Sequence, residues 1–286
     1  MSVMALDNGW TGAQYRWVRA LLGAYVFVHF AQLGPYAHEL FSSSGVLPDA
    51  TLSPLFRLFP SPFWISDAPS TAALVVWLGA LLAIPLALGV FDRTAAVLIW
   101  ILWASLHARM PLIANPSIPF IGLLLLVHAC LPKSPALWAR APGGDTFRFD
   151  AHVFGALWIV MALGYSYSGY TKLVSPSWLD GTALYHVLHN PLARDTPLRE
   201  LVLSLPMPVL KVKAWGALAA EALFAPLACV RRLRPWLWLT MVAMHLGLLA
   251  LIDFADLTLA MLIVHAFTFD PAWLASLRRT PAPPSP

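Results

Sequence analysis

Apolar residues fall in long blocks along this chain, separated by short polar and proline-rich segments. Eight such blocks stand out, at 17–35, 71–91, 94–110, 117–132, 152–171, 209–230, 235–252 and 256–269. Each is near the roughly 20 residues that carry a helix across a ~30 Å hydrocarbon core. The pattern predicts an all-α, polytopic membrane bundle of about eight transmembrane helices. The third, fourth and eighth blocks are short, so they are expected to tilt little or to pack inside the bundle. Pro85, Gly122 and Pro226 lie within blocks, where neighbouring helices re-satisfy the backbone groups they free.

The polar intervals are 36–70, 133–150 and 173–208. In the last, "GTALYHVLHNPLARDTPLRELVLSLP" places apolar residues at helical spacing, interrupted by Pro191 and Pro197. It predicts two short interfacial helices lying as a lid over the outer mouth. There is no internal repeat. Residues 1–270 read as one membrane domain with the lid at 173–208, and 271–286, which end in "TPAPPSP", as a disordered proline-rich tail.

Composition sharpens this picture. Hydrophobic residues make up 59% of the chain and charged residues 11%, with a mean hydropathy of +0.70, against about 25% charged in soluble domains. A soluble enzyme is excluded. The net charge of +4 is spread over membrane-flanking loops without a basic, aromatic-interleaved patch, so no nucleic-acid partner is expected. With both termini in the cytoplasm the inner loops hold Arg16, Arg19, Arg93, Lys133, Arg140, Arg148, Arg231, Arg232, Arg234, Arg278 and Arg279, eleven of the 18 basic residues. The positive-inside rule therefore favours that orientation and puts Lys172 at the outer mouth of the fifth helix. The first sixteen residues lack a secretory-signal pattern, so the first helix is expected to be retained. Cys130 and Cys229 form no C-x-x-C pair, which argues against thiol–disulfide and thiolate-metal chemistry.

Ionisable side chains inside membrane helices are costly and therefore the first functional candidates. Glu221 lies ten residues before the "RRLR" turn, His245 eleven after it, and His29 ten beyond Arg19, about 15 Å deep at 1.5 Å per residue. Two readings follow. Glu221 and His245, with His29, relay protons or bind a polar head; alternatively Glu221 and His245 form an interhelical hydrogen bond that fixes packing. No i, i+4 pairing supports a metal site, and no metal is expected. His128 and His265 lie nearer the cytoplasmic ends and are expected to be wet, His107 sits near the outer end of the third helix, and His186 and His189 fit a solvated lid face. Lys172 has two readings as well. It is a snorkelling anchor, or an ammonium drawn into the bundle by the small residues Ser166, Ser168 and Gly169 on the turns before it, where its neutral amine can serve as a base.

The stretch "GYTKLVSPSWLDGTALYHVL" resembles the vitamin K-dependent gamma-glutamyl carboxylases and their bacterial relatives, the HTTM (horizontally transferred transmembrane) domain family. They share Lys-Leu, a short spacer, Trp and Gly. "LAAEALFAPL" with Glu221, "MVAMHLGLLALIDFADLTLAML" with His245, and "IANPSIPFIGLLLLVH" with Asn115 extend the likeness over most of the chain, most clearly over 160–269. It implies an integral protein of a bacterial-type cell membrane in which Lys172 is the base toward a lipophilic hydroquinone, whose anion reacts with oxygen. His245 and Glu221 are then catalytic partners, and Trp178, Gly181 and Asn115 line the substrate site, to which His29 is added for its shared depth with Glu221 and His245. The departures are Thr171 in place of a paired lysine, a spacer to Trp178 one residue longer than the family's, and Pro116 in place of a histidine. The chain also ends in a short tail where the carboxylases continue into an extracytoplasmic domain, so membrane chemistry is expected and carboxylation of a protein is not.

The expected site is an outward pocket between helices three, five, six and seven, using a membrane quinol or another lipid with Lys172 as base. Two alternatives stand beside it: a non-catalytic lipid-binding or transport protein, and a maturation partner for a secreted protein or peptide.

Overall fold

The computed structural model describes residues 9–139 and 147–277. Arg140, Arg278 and Arg279, counted in the orientation argument, lie outside the described residues. Each apolar block is helical: α1 (Gly12–Leu33), α2 (Pro69–Leu88), α3 (Asp92–Arg109), α4 (Ile118–Cys130), α5 (Ala151–Lys172), α6 (Met207–Ala222), α7 (Arg234–Leu251) and α8 (Ala255–Thr268). No strand occurs among the described residues, where one isolated bridge joins Ala193 to Ile252. Two segments, Pro69–Leu88 and Arg231–Leu251, are long and apolar enough to cross a membrane. A third qualifies if Pro197–Leu203 and Met207–Ala222, bent by 105° at their break, count as one span. The exteriors of these helices are apolar too: Leu74, Leu81, Leu239 and Leu246 are exposed, as expected of surfaces solvated by lipid.

Local chemistry sets the helix ends. Thr11 and Gln14 form a reciprocal capping box at α1. α2 starts at Pro69 and stops at Gly89, whose φ of 81° lets the Gly89 and Val90 amides fold back onto Leu86 and Pro85 carbonyls. α6 breaks at Leu223 because Pro226 brings no N–H and its ring crowds the Ala222 carbonyl four residues back.

The contacts group into two compact units, Met1–Asp150 and Ala151–Pro286. In the first, α1 packs on α2, α2 on α3 and α3 on α4. Three arginines clasp the segment after α4: Arg93 donates to the Leu131 carbonyl, Arg19 to Ser134 Oγ and to the Pro135 carbonyl at 3.0 Å, and Arg16 to the Ala139 carbonyl at 2.5 Å. Arg19 also lies 3.5 Å from Asp92, which His128 Nε2 approaches at 3.5 Å, while His128 Nδ1 meets the Tyr15 hydroxyl at 2.8 Å. His128 is therefore not wet as its position in the sequence suggested. Its side of α4 faces the polar groups of α1 and α3, and it is buried.

In the second unit α5 packs on α6 and α8, and α7 on α6 and α8. The 173–208 segment forms three short helices, Pro176–Leu179, Ala183–Leu188 and Pro197–Leu203, one more than its sequence pattern suggested. Pro176 supplies the extra start, fitting the first turn of a helix where no amide is needed. The Arg194 amide donates to the Leu251 carbonyl and the Asp253 amide to that of Leu192, at 2.8 and 2.7 Å. An Arg194–Asp253 ion pair of 3.1 Å adds a side-chain link between this segment and the α7–α8 turn. The tail expectation also needs correcting. Ala272–Leu277 is a short helix, because the Trp273 ring packs on Trp158, Trp238 and Phe269. Residues 278–286 lie outside the described residues.

Candidate functional site

One face of α5 carries the site. Tyr165, Ser168, Gly169 and Lys172 follow the i, i+3, i+4, i+7 spacing that aligns side chains along a helix. Gly169 is required by the close approach of α6: a methyl group there would overlap the Ala222 backbone nitrogen. That proximity lets α5 reach the broken turn of α6.

Ser166 repairs the break. In an unbroken helix the Ala225 amide would donate to the Glu221 carbonyl. Here the Ala225 amide donates to Ser166 Oγ at 2.9 Å, and Ser166 Oγ donates to the Glu221 carbonyl at 3.3 Å. A hydroxyl inserted in the i→i−4 ladder opens the turn locally, and Glu221 projects from it toward α5. Its Oε2 pairs with Lys172 Nζ, which also donates to Ser168 Oγ at 2.8 Å. The side chains of Lys172 and Glu221 are 22% and 9% exposed. The Trp178 ring lies 5.2 Å from the ammonium, a cation–π distance.

The turn after Trp178 is fixed onto α6. Gly181 has a φ of 81°, and a Cβ there would come within 2.9 Å of Lys211 and Trp215 side-chain atoms. Trp215 Nε1 donates to the Leu179 carbonyl at 3.1 Å. Asp180 accepts from the Thr182 hydroxyl at 2.6 Å and the Thr182 amide at 2.8 Å, and these bonds hold its carboxyl below the usual carboxylate range. The Trp-Leu-Asp-Gly-Thr sequence thus orients Trp178 over the lysine.

Two turns before Lys172, the Tyr165 hydroxyl sits between His245 Nε2 of α7 and His265 Nε2 of α8, 2.8 Å from each. One hydroxyl donates a single proton, so it can donate to one imidazole while accepting from the other. In that arrangement the two histidines are opposite tautomers. Their Nδ1 atoms are buried without a protein partner. The triad can pass a proton through Tyr165 by switching both tautomers together, and it offers one Nδ1 donor and one Nδ1 acceptor.

Lys172, Glu221 and Trp178 thus come together with Gly181 behind them, while His245 bonds Tyr165. Glu221 takes Lys172 as partner, because the gap at Gly169 brings α5 against the α6 break. His265, expected to be wet, is buried at the heart of the triad, since α8 presents it to α5 and α7. His186 and His189 are exposed on the 173–208 segment. Asn115 and His29 belong to the first unit. Asn115 Oδ1 accepts from the Ser117 amide at 2.9 Å and shapes the start of α4, and the His29 ring packs 4.4 Å from that of Trp103 and 5.7 Å from that of His107. The sequence reading did not single out Tyr165, took Ser166 only as a small packing residue and expected His265 to be wet; the spacing of Tyr165 and Lys172 was the available signal.

The molecule is a helical protein with membrane-compatible apolar segments and a half-buried Lys–Glu pair next to a Tyr–His–His triad. The chain matches no protein-family model, no curated protein and no solved structure.

Proposed function

We propose that this chain is a multi-pass membrane protein of the HTTM type, crossing the membrane eight times with both termini cytoplasmic. We read Lys172 and Glu221 as its reactive pair, taking a proton from the polar head of a lipophilic substrate, a membrane quinol in the first instance. The observation that carries this reading is the position of the Lys172 ammonium. An interfacial anchor extends its charge into headgroups and water, whereas Lys172 is turned onto Glu221, Ser168 and Trp178.

The residues suit a hydroxyl-bearing aromatic head. Trp178 offers a ring face, Ser168 a hydroxyl, and the partnerless Nδ1 atoms of His245 and His265 a donor and an acceptor. A bound hydroquinone would supply an acidic hydroxyl and reducing equivalents. Lys172 can accept a proton only as a free amine, with the proton of the Lys172–Glu221 contact resting on the carboxylate. Glu221 then holds the proton, Ser168 orients the amine, and Trp178 keeps water away from it.

The test is Lys172→Arg, because arginine keeps the charge but does not release its proton at accessible pH. Loss of quinol oxidation in both Lys172→Arg and Lys172→Ala, with folding and insertion intact, supports the base role. Full activity in the arginine variant refutes it. The topology has its own test: cysteine in place of Asp195 should react with an impermeant thiol reagent in intact cells, and labelling only after lysis would reverse it.

A further inference from the structure

Segment 42–68, between α1 and α2, lines an open cleft, a cavity of about 290 Å³ that faces outward. Its lining includes Asp49, Asp67, Phe56, Phe63 and Trp64 and no basic side chain. We propose that this cavity binds an organic ammonium group, independently of any chemistry at Lys172.

Charge is the first argument. Asp49 Oδ1 accepts from the Thr51 hydroxyl at 2.6 Å and from the Thr51 amide at 2.9 Å. These bonds lower its titration and leave it ionised at neutral pH. The Asp67 backbone is held by the Ser43 amide, which donates to its carbonyl at 2.9 Å. The cation that interacts with both carboxylates is Arg109 of α3, which is fully buried and donates to the Ser42 carbonyl at 3.0 Å. The lining itself thus carries two carboxylates and no cation.

Shape and surface are the second. Trp64 Nε1 donates to the Phe56 carbonyl at 2.8 Å, which fixes the ring while half of the residue stays exposed. Phe56 and Phe63 form buried walls. An aromatic face beside carboxylates matches a quaternary or primary ammonium, which draws on charge attraction and on the negative face of the ring together. A metal cation would want converging oxygen ligands and little aromatic surface. The shared chemistry is therefore an alkylated ammonium, whether carried by a soluble amine or by a lipid headgroup.

The probe is choline, followed by saturation-transfer NMR on the full chain in a detergent that carries no ammonium group. Its neutral isostere, 3,3-dimethylbutan-1-ol, is the control. We expect saturable choline binding that the isostere does not displace. Asp67→Asn and Trp64→Leu should each weaken it about three- to fivefold, the scale of one exposed charge pair or cation–π contact. Trp64→Phe keeps a ring face and should retain most of the affinity, which separates loss of the ring from loss of folding. In nanodiscs, loss of the choline signal with phosphatidylcholine but not with phosphatidylglycerol assigns the site to a lipid headgroup, and retention in both assigns it to a soluble amine. Equal competition by the isostere would overturn the proposal, as would unchanged affinity in both Asp67→Asn and Trp64→Leu. So would the absence of saturable binding below about 0.1 M, where charge screening acts over ~10 Å.

Discussion

Breaking the Lys172–Glu221 pair from one side should cost far more than removing it whole. Loss of one partner from a buried pair typically costs about 3–5 kcal/mol because the other charge is stranded. The two sides differ here. With Glu221→Gln, Lys172 keeps Ser168 Oγ and the Trp178 face and is the more exposed member, so the cost falls to about 2–3 kcal/mol. With Lys172→Met, the deeper carboxylate loses its ammonium partner, and about 3–4 kcal/mol is expected. The double variant removes both charges from a poorly solvated site and should cost about 1–2 kcal/mol, a coupling of several kcal/mol. Glu221→Gln with His245→Gln should couple less, because Tyr165 and not Glu221 is the hydrogen-bond partner of His245. The assay is reversible unfolding in mixed micelles, followed by helical circular dichroism. Strict additivity of Lys172→Met and Glu221→Gln would refute the pairing, and stronger coupling between 221 and 245 would restore the Glu–His reading.

Gly169→Ala should destabilise the second unit by about 1–3 kcal/mol, the cost of overpacking a tight contact, because its methyl group meets the Ala222 backbone; a thermal melt no lower than wild type would show that the two helices are not so close. Arg19→Lys should lower the melting temperature of the full chain, since a lysine cannot serve Ser134, the Pro135 carbonyl and Asp92 from one planar fork, and an unchanged melt would sink the clasp. The Asp180 turn should loosen in acid. Its folded-state titration is depressed, so its contribution is present above the unfolded carboxylate value near 3.9 and is lost as pH falls through the lower folded value. Amide exchange over 176–188 should accelerate across that window in wild type and already be fast at neutral pH in Asp180→Ala; an acid response unchanged by the substitution would refute this.

Much of the helical framework was legible, because apolar block length is a property of sequence alone: all eight blocks became helical with ends within a few residues of the pattern, except that the sixth breaks after Ala222 and resumes as Phe224–Ala228. Their number as membrane spans was less so. α4 and α8 have 13 and 14 residues, about 20 Å at 1.5 Å per residue, and length cannot say whether such a helix meets lipid or is packed among its neighbours. Lys172 and Glu221 were legible as rare charges in an apolar chain. Their partnership was not, because depth counted from a turn fixes height along a helix and leaves its rotation open. Reading rotation from Gly169, the residue that permits contact, would have turned Lys172 toward α6. Burial of His128 and His265 escaped the sequence for the same reason: each lies near a helix end, and only the facing helices decide whether a histidine there is wet.

The site itself depends on a local conflict in α6. Pro226 prevents a continuous helix from passing Glu221, and in an apolar setting the freed amide and carbonyl must find partners. Ser166 supplies both with one hydroxyl, accepting from the Ala225 amide and donating to the Glu221 carbonyl. The next turns of α5 carry Gly169, which admits the α6 backbone, and Lys172, which meets the carboxylate. Proline, serine, glycine and lysine thus form one sequence of causes. The helix is broken, the break is satisfied from α5, α5 comes close enough to satisfy it, and the acid at the break acquires a base. A proline inside a span is commonly read as a kink to be tolerated. Here it is the reason a carboxylate and an amine meet within the helical bundle, and the unit would lose that pair if α6 ran straight.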